Sequence, residues 1–346
     1  MIRIKEKFKS AIWRLSPSLY HRVAKPFSGQ VFSIGICSGT SPFELQCQLV
    51  GCDPILTAAD IHDVPARFVA DPFIYTTNGQ WVIFFEVFNR INHRGEIGLA
   101  TSADGQHWQY QNIVLKESHH LAYPQVLADG GSMYLIPDTP EHGVKLYRAD
   151  QFPLQWRFEQ TLLNDPAITD PTVFRHENRW WMISGHRPSA LAVRSTRLHF
   201  ADQLTGPWVE HPASPIVTDS LRRSRPAGSV VRYGNRLFRL SQDCSRVYGE
   251  RIQAHEILDL TTTSYRETDA DDQTLLQAGE ALWCAGGMHH ASLLETDNGQ
   301  WIAAVDGWHL QQSESNVPRK LNVAIGVAIS VAASIAAFLW SNEVLA

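Results

Sequence analysis

Residues of chemically useful type stand at matched points along this chain: Asp71, Tyr123, Asp170, Arg225 and the pair His289-His290. The first four each precede a proline, and fifteen residues beyond the first three come Glu86, Asp138 and Gly185. Asp243 and Asp306 hold looser versions of the second position. Gathered on one rim, carboxylates, a phenol, a guanidinium and an imidazole suit sugar hydroxyls or a phosphate. Asp71 and Asp170 are the natural pair for acid–base work at a glycosidic bond, where inverting hydrolases set two carboxyls about 6.5–9.5 Å apart. The structural alternative is an Asp-Pro turn whose carboxylate caps backbone N–H groups. Arg225 is either a bidentate donor to a carboxylate or phosphate, or a partner in a salt bridge. His289 and His290 point to opposite faces of a strand, so only one can face the site, as a hydrogen-bond donor or metal ligand.

The spacing also identifies the elements that must position these side chains. Between each pair lie an apolar run, a polar turn (Asn78-Gly79, Asp129-Gly130-Gly131, Glu177-Asn178) and a second apolar run opened by Trp81, Met133 or Trp180. That is a β-hairpin written three times. Arg225-Pro226 to Asp243 and His289-His290 to Asp306 supply two looser copies, and the anchor prolines of the first four units (Pro72, Pro124, Pro171 and Pro226) are 52, 47 and 55 residues apart. Units of this length with about four short strands predict an all-β, five-bladed β-propeller, with the first strand of each blade lining a central channel.

Each outer half repeats as well: Gly95–Ala100 with Trp108, Val144–Tyr147 with Trp156, and Leu191–Val193 with Trp208. The fifth unit has no outer half downstream. Ser33–Ser38 reads like Glu96–Thr101 and Asp53–Leu56 like Asn112–Leu115, so the N-terminal strands are expected to complete the last blade and close the ring. Closure removes an unpaired sheet edge. Trp81, Trp108, Trp156, Trp180, Trp208 and Trp301 recur at matched blade positions and read as packing, whereas Trp181 and Trp308 break the pattern and are expected to stack on sugar.

The net charge of −5 divides into +6 over residues 1–28 (seven basic side chains against Glu6) and −11 over the rest. A mildly acidic body does not suggest a nucleic-acid partner, and none is expected. The basic segment places Ile4, Phe8, Ile12 and Leu15 on one helical face, suited to anionic lipid. Leu321 to Trp340 carries no charge, follows Arg319-Lys320 and is long enough to span a bilayer. The expected order is a basic amphipathic segment (1–28), the propeller (29–312), a linker (313–320) and a C-terminal transmembrane helix (321–340). Arg319-Lys320 places the propeller on the cytoplasmic side. The five cysteines (Cys37, Cys47, Cys52, Cys244, Cys284) lack Cys-x-x-Cys spacing and read as reduced structural thiols. No dinucleotide, P-loop, hydrolase-elbow or zincin motif occurs. No cofactor is expected, although a divalent cation in the channel is compatible with the residue types. Asp269-Ala270-Asp271 has the form of a nucleotide-sugar metal motif but reads as a solvated loop.

Val64 to Phe73, Phe84-Phe85-Glu86, Gly95 to Gly105, His120 to Pro124 and Tyr134 to Asp138 together resemble the N-terminal domain of glucosamine inositolphosphorylceramide transferase, over about Phe32 to His309. That domain is in turn similar to the five-bladed propellers of glycoside hydrolase family 43. The resemblance implies the family-43 general base at Asp71, within Ala70-Asp71-Pro72. The hydrolases' further carboxylates, on blades two and three, are replaced by Tyr123 and Asp170. Full-length transferases carry sugar transfer in a separate C-terminal domain, a place that here holds only the apolar segment.

Two functions are therefore expected in competition. One is a membrane-anchored module that binds a saccharide or glycolipid headgroup through Glu86, Tyr123, Asp138, Arg225, Asp243, His289, His290, Asp306 and Trp308, and serves a partner glycosyltransferase. The other is a furanosidase-type hydrolase with Asp71 as base and Asp170 as acid.

Overall fold

A computed structural model describes residues 2–17, 20, 28–47, 53–189, 192 and 194–311. After helix α1 (Ile2–Leu15), twenty-two strands form five antiparallel sheets, the blades of a propeller. Blade one holds β3 (Ala66–Thr77), β4 (Gln80–Asn89), β5 (Arg94–Ser102) and β6 (Gln109–Leu115). Blade two holds β7 (Ala122–Asp129), β8 (Ser132–Asp138), β9 (Val144–Gln151) and β10 (Gln155–Leu163). Blade three holds β11 (Ile168–His176), β12 (Arg179–His186), β13 (Ser195–Ala201) and β14 (Val209–Glu210), with β15 (Val217–Thr218) also on β13. Blade four holds β16 (Arg225–Pro226), β17 (Val231–Tyr233), β18 (Arg236–Asp243), β19 (Arg251–Leu260) and β20 (Tyr265–Gln277). Blade five joins β21 (Ala291–Glu295) and β22 (Trp301–Gln311) to β1 (Gly29–Gly39) and β2 (Leu45–Cys47).

The inner hairpins turn where the sequence places them. Asn78 and Gly79, Gly130 and Gly131, and Glu177 and Asn178 all take positive φ, which matches the right-handed twist of the flanking strands. Ring closure is also as expected, with β1 pairing β22 from Gly29 opposite Gln311 to Gly39 opposite Trp301. Its outermost strand differs: Leu45–Cys47 takes that place, and Leu56 makes only an isolated bridge to Ile34. Blade three differs too. Its third strand is Ser195–Ala201, while Leu191 and Val193 lie outside the described residues. Asp269-Ala270-Asp271 falls inside β20 rather than in a loop.

Cys37 and Cys47 stand directly opposite each other in β1 and β2 and form a disulfide, which corrects the reduced-thiol reading. Sequence spacing alone could not reveal a cross-strand pairing fixed by register. The cysteines therefore no longer argue for a reducing compartment. Cys244 and Cys284 are free thiols, and Cys52 lies outside the described residues.

α1 rests on the ring through Trp13, which packs with Tyr20 and Ile91, whereas Leu15 is 86% exposed. Of the apolar face expected from Ile4, Phe8, Ile12 and Leu15, Ile12 packs against this cluster and Leu15 does not. No described helix is long and apolar enough to cross a membrane, and Leu321 to Trp340 lies outside the described residues.

Candidate functional site

The inner strands carry a local device that periodicity does not disclose. In β3, β7 and β11 the pairing register slips beside the residue before proline, and Asp71, Tyr123 and Asp170 adopt φ of 53°, 49° and 49°. A non-glycine residue in this left-handed region costs about 1–3 kcal/mol and persists only where its surroundings hold it. The paired residues are therefore Ala70 with Glu86, Ala122 with Asp138 and Thr169 with Gly185, one position before each anchor.

Side chains and backbone then tie blade to blade. Gln125 exchanges two hydrogen bonds with Val173, donating from Nε2 to the carbonyl at 2.8 Å and accepting the N–H at 2.7 Å. Tyr123 is spent in the same way. Its hydroxyl accepts the Gly228 N–H at 2.7 Å, lies 2.7 Å from Thr172 Oγ1, and its ring packs edge-on against Phe73 and His290. Gly228 is required here, because a Cβ would lie 1.8 Å from the Ala291 carbonyl oxygen.

Blade five clamps blade one through Asp306, which is fully buried. One carboxylate oxygen accepts the Asp71 N–H at 2.8 Å. The other accepts the His290 N–H at 2.9 Å, the His289 N–H at 3.3 Å and lies 2.7 Å from His289 Nδ1. Burial works against ionising both partners, but each outweighs it for the other: His289 is held above its ordinary pKa and Asp306 below. His290 is pushed down to about 4 by burial, with His289 adding to the effect, so it is neutral at pH 7. Asp71, His289 and Asp306 are close enough to share a metal ion. A cation would have to displace the hydrogen bonds that Asp306 already accepts.

A cavity of about 350 Å³ opens at this end of the ring, in the size range of small-ligand sites. Of the residues singled out by spacing, Asp71, Glu86, Asp138, Arg225 and His289 line it. Tyr123, Asp170, Asp243, His290, Asp306 and Trp308 are buried and do not. Asp170 is engaged by Arg225, whose Nε and Nη2 both donate to its carboxylate. Asp243 takes Arg251 at 3.1 Å, Arg222 at 3.4 Å and the Ser245 hydroxyl at 2.6 Å.

Trp308 donates its indole N–H to the Gly249 carbonyl at 2.8 Å, and Trp181 packs in the core between blades three and four, so neither offers a stacking face. The aromatic wall consists instead of Phe32, Phe68, Phe88 and Tyr248. Phe68 stacks on Phe88 with centroids 5.0 Å apart, and Phe32 lies 4.6 Å from the His289 ring. These residues, with His120, Arg187 and Arg194, come from strand ends and loops outside the repeated motif, where no spacing signal singles them out.

The acids on the wall are unusual in their protonation. Burial raises Asp71 to about 7, opposed by His289 and reinforced by Asp306. Burial also raises Glu86 well above the normal range, reinforced by Asp71 and Asp138; for Asp138 burial acts together with Asp170. Gly95 makes room for Glu86, since a Cβ there would lie 2.6 Å from Glu86 Oε1 and 2.1 Å from the Leu121 carbonyl oxygen. The Gly95 N–H donates to His120 Nδ1, which places the ring proton on Nε2, 3.4 Å from Glu86 Oε1. That approach is too poorly aligned to satisfy Oε1, which has no hydrogen-bond partner among the described residues.

Asp71 therefore makes stability depend on pH. A carboxyl raised on folding disfavours the folded state once ionised, so stability falls as pH rises from about 4, the unfolded value, to about 7. Asp71→Asn removes a penalty on the order of a few kcal/mol. Melting curves are expected to show the variant matching or trailing the wild type at pH 4 and exceeding it at pH 8. A difference constant across this range would contradict the raised carboxyl.

Residues 26–308 match the family described as glucosamine inositolphosphorylceramide transferase 1, N-terminal. The chain is 32% identical to the Arabidopsis thaliana glucosamine inositolphosphorylceramide transferase 1 over 298 residues, covering 80% of this chain and 39% of that protein. It is 30% identical to the Oryza sativa subsp. indica protein of the same name, covering 82% of this chain and 41% of the relative. The chain thus spans about two fifths of the length of these relatives. Among solved structures it is similar to an exo-1,5-alpha-L-arabinanase from a bovine ruminal metagenomic library, with a TM-score of 0.54, 12% identity, and coverage of 71% of this chain and 96% of the other. A thermostable family-43 glycoside hydrolase aligns with a TM-score of 0.52 and 10% identity over 72% of this chain and 91% of its own. At these identities the likeness concerns the fold.

Proposed function

Because the chain belongs to the family of the N-terminal domain of glucosamine inositolphosphorylceramide transferase 1, we propose that its propeller binds a saccharide or glycolipid headgroup and serves a glycosyltransferase that acts on it. The observation that carries this reading is one cavity lined by Asp71, Glu86 and Asp138 together with Phe32, Phe68, Phe88 and Tyr248. Protonated carboxyls both donate and accept hydrogen bonds, as hydroxyl groups require, and aromatic faces cover the apolar side of a sugar ring.

A tether to the membrane accords with the uncharged run from Leu321 to Trp340 and with the topology. Gly29 and Gln311 are paired at one end of blade five, the end that leads to the cavity through Phe32. A chain leaving there for a bilayer would hold the cavity toward lipid headgroups, and Lys5, Lys7 and Arg14, exposed on α1, favour an anionic surface.

The hydrolase with Asp170 as acid has less support. Asp170 is 1% exposed, lies off the cavity wall and gives both oxygens to Arg225, so it has no access to a glycosidic oxygen. A panel of neutral monosaccharides and disaccharides tests the binding reading by thermal shift. At a hundredfold excess over Kd a ligand adds about 2.7 kcal/mol, a readily measured rise in melting temperature. At least one sugar is expected to stabilise the wild type and to lose that effect in Asp138→Ala. No stabilisation, together with hydrolysis of aryl glycosides that disappears in Asp71→Asn, would favour the enzyme instead.

A further inference from the structure

The ring is polarised from end to end. In each antiparallel blade the inner strand starts at the cavity end, so the links β4–β5, β15–β16 and β18–β19 return there, while the inner hairpin turns lie at the opposite end. The turns at that opposite end carry Glu44, Asp104, Glu177, Asp202 and Asp297, all exposed, and among the described residues they hold neither lysine nor arginine. At the cavity end, α1 packs through Trp13 on Ile91 of the β4–β5 link and exposes Lys5, Lys7 and Arg14. Glu141, Asp219 and Glu280 are exposed at this end too, so its basic character comes from α1. The same end bears an apolar patch beside the mouth of the cavity, where Leu221, Val247 and Leu310 are 51%, 38% and 68% exposed. Two hydrogen bonds bring their segments together: the Cys244 N–H donates to the Leu221 carbonyl at 2.8 Å, and Gln30, which pairs with Leu310, donates from Nε2 to the Tyr248 carbonyl at 3.0 Å. Arg222 and Arg246 flank the patch, and their acidic partners Asp243 and Glu250 are buried beneath, which leaves both arginine side chains exposed. The chain leaves the ring at Gln311, next to Leu310 and ten residues before the uncharged run that begins at Leu321.

We infer that this rim is a docking surface for an anionic lipid bilayer, with Leu221, Val247 and Leu310 entering the interfacial layer and Lys5, Lys7 and Arg14 of α1 meeting its negative charge. Exposed apolar side chains grouped at one end and flanked by arginines fit a membrane interface, where aliphatic groups enter the acyl boundary and long basic side chains keep their charge in the headgroup layer. An anionic surface attracts basic side chains within a Debye length, and the acidic turns at the far end are the part of the ring held furthest from it. A tether that begins ten residues beyond Gln311 raises the effective concentration of bilayer at the rim, so individually weak contacts suffice. The docked surface is the rim itself, outside the cavity. Docking rests on the tether in the proposed function and gives the ring a fixed orientation on the membrane.

Hydrogen exchange of the full chain reconstituted in nanodiscs tests this surface, with phosphatidylcholine as the neutral bilayer and phosphatidylcholine mixed with phosphatidylserine as the anionic one. On anionic nanodiscs, amides of residues 220–223 and 245–248 are expected to exchange about tenfold more slowly than in a Leu221→Ser, Val247→Ser variant, which corresponds to a rim docked for about nine tenths of the time. Amides of residues 104–107 and 297–299, in turns at the far end, should exchange alike in both proteins, and matching melting curves report that the variant is folded. Without phosphatidylserine, the protection of the rim and of α1 should shrink.

Rim amides that exchange at the same rate in both proteins, on a chain that stays with the nanodiscs, would overturn the docking and leave the tether standing. A chain that separates from the nanodiscs would sink both. Protection as strong on phosphatidylcholine alone would overturn the role given to the charges of α1. Protection that requires two chains in one nanodisc would assign the patch to a second copy of the protein and overturn the docking as well. Saccharide binding in the cavity is read separately, by thermal shift, and stands or falls apart from these results.

Discussion

A chain lacking residues 1–47 is expected to lose cooperative folding altogether. β1 lies between β22 and β2 and is paired to β22 across eleven positions, so its removal strips blade five to a hairpin and exposes the full edge of β22. It also takes Phe32, Ile34 and Cys37 out of three hydrophobic clusters, all of which bridge blade five to its neighbours. Each fully buried apolar side chain contributes about 1.5–3 kcal/mol. Three of them, with the strand pairing, rival the whole net stability of an ordinary domain, about 5–15 kcal/mol. Removal of residues 1–28 alone deletes α1 and Tyr20, whose contact with the ring is the packing of Trp13 and Tyr20 with Ile91, and should leave a folded propeller. Circular dichroism melts of the two truncations decide the matter. An unchanged, sigmoidal transition in the shorter chain would show that the ring does not depend on its N-terminal closure.

Asp306→Ala is expected to cost about 3–5 kcal/mol, the usual penalty for breaking a buried charged pair. The carboxylate accepts three backbone N–H groups and faces the His289 imidazole, so alanine leaves all of them without their acceptor in a fully buried place. The loss should depend on pH in a defined way. Asp306 is depressed on folding, so its contribution is present above about 3.8 and disappears as pH falls through its lower folded value. His289 is raised, so its contribution is complete below about 6.5 and disappears as pH rises through its higher folded value. The gap between wild type and variant in urea unfolding should therefore be widest between about pH 4 and 6.5. Asp306→Asn keeps an oxygen acceptor and should lose less. A gap under about 1 kcal/mol for the alanine variant would mean that the clamp between blades one and five lies elsewhere.

The anchors show how far a linear pattern reaches. Asp71, Tyr123 and Asp170 occupy equivalent inner-strand positions, as their proline contexts indicate, with the same left-handed backbone in each. Their chemistry nevertheless diverges. Asp71 faces the cavity, Tyr123 ties blade two to Gly228 of blade four, and Asp170 holds Arg225. Equivalence in sequence reports the backbone path, whereas a side chain's role depends on what the next blade places beside it. The same limit applies to Trp308, whose break from the tryptophan pattern is real but reflects a hydrogen bond to Gly249 rather than an exposed face. Glu86 is the opposite case: its fifteen-residue spacing places it on the cavity wall, yet only the structure shows Oε1 without a hydrogen bond among the described residues.

The order of residues by itself determined the five hairpins, their turns, the completion of the last blade from the N terminus and the arrival of Asp71, Glu86 and Asp138 at one end of the ring. These follow from alternation, turn chemistry and repeat length, which are local properties that a strand carries with it. Tertiary structure alone decided which anchors remain available to a ligand, that Cys37 meets Cys47, and that Arg194 and Tyr248 join Arg225 in lining the cavity. Those outcomes depend on register slips, burial and contacts between blades far apart in the chain, and such interactions leave no periodic trace.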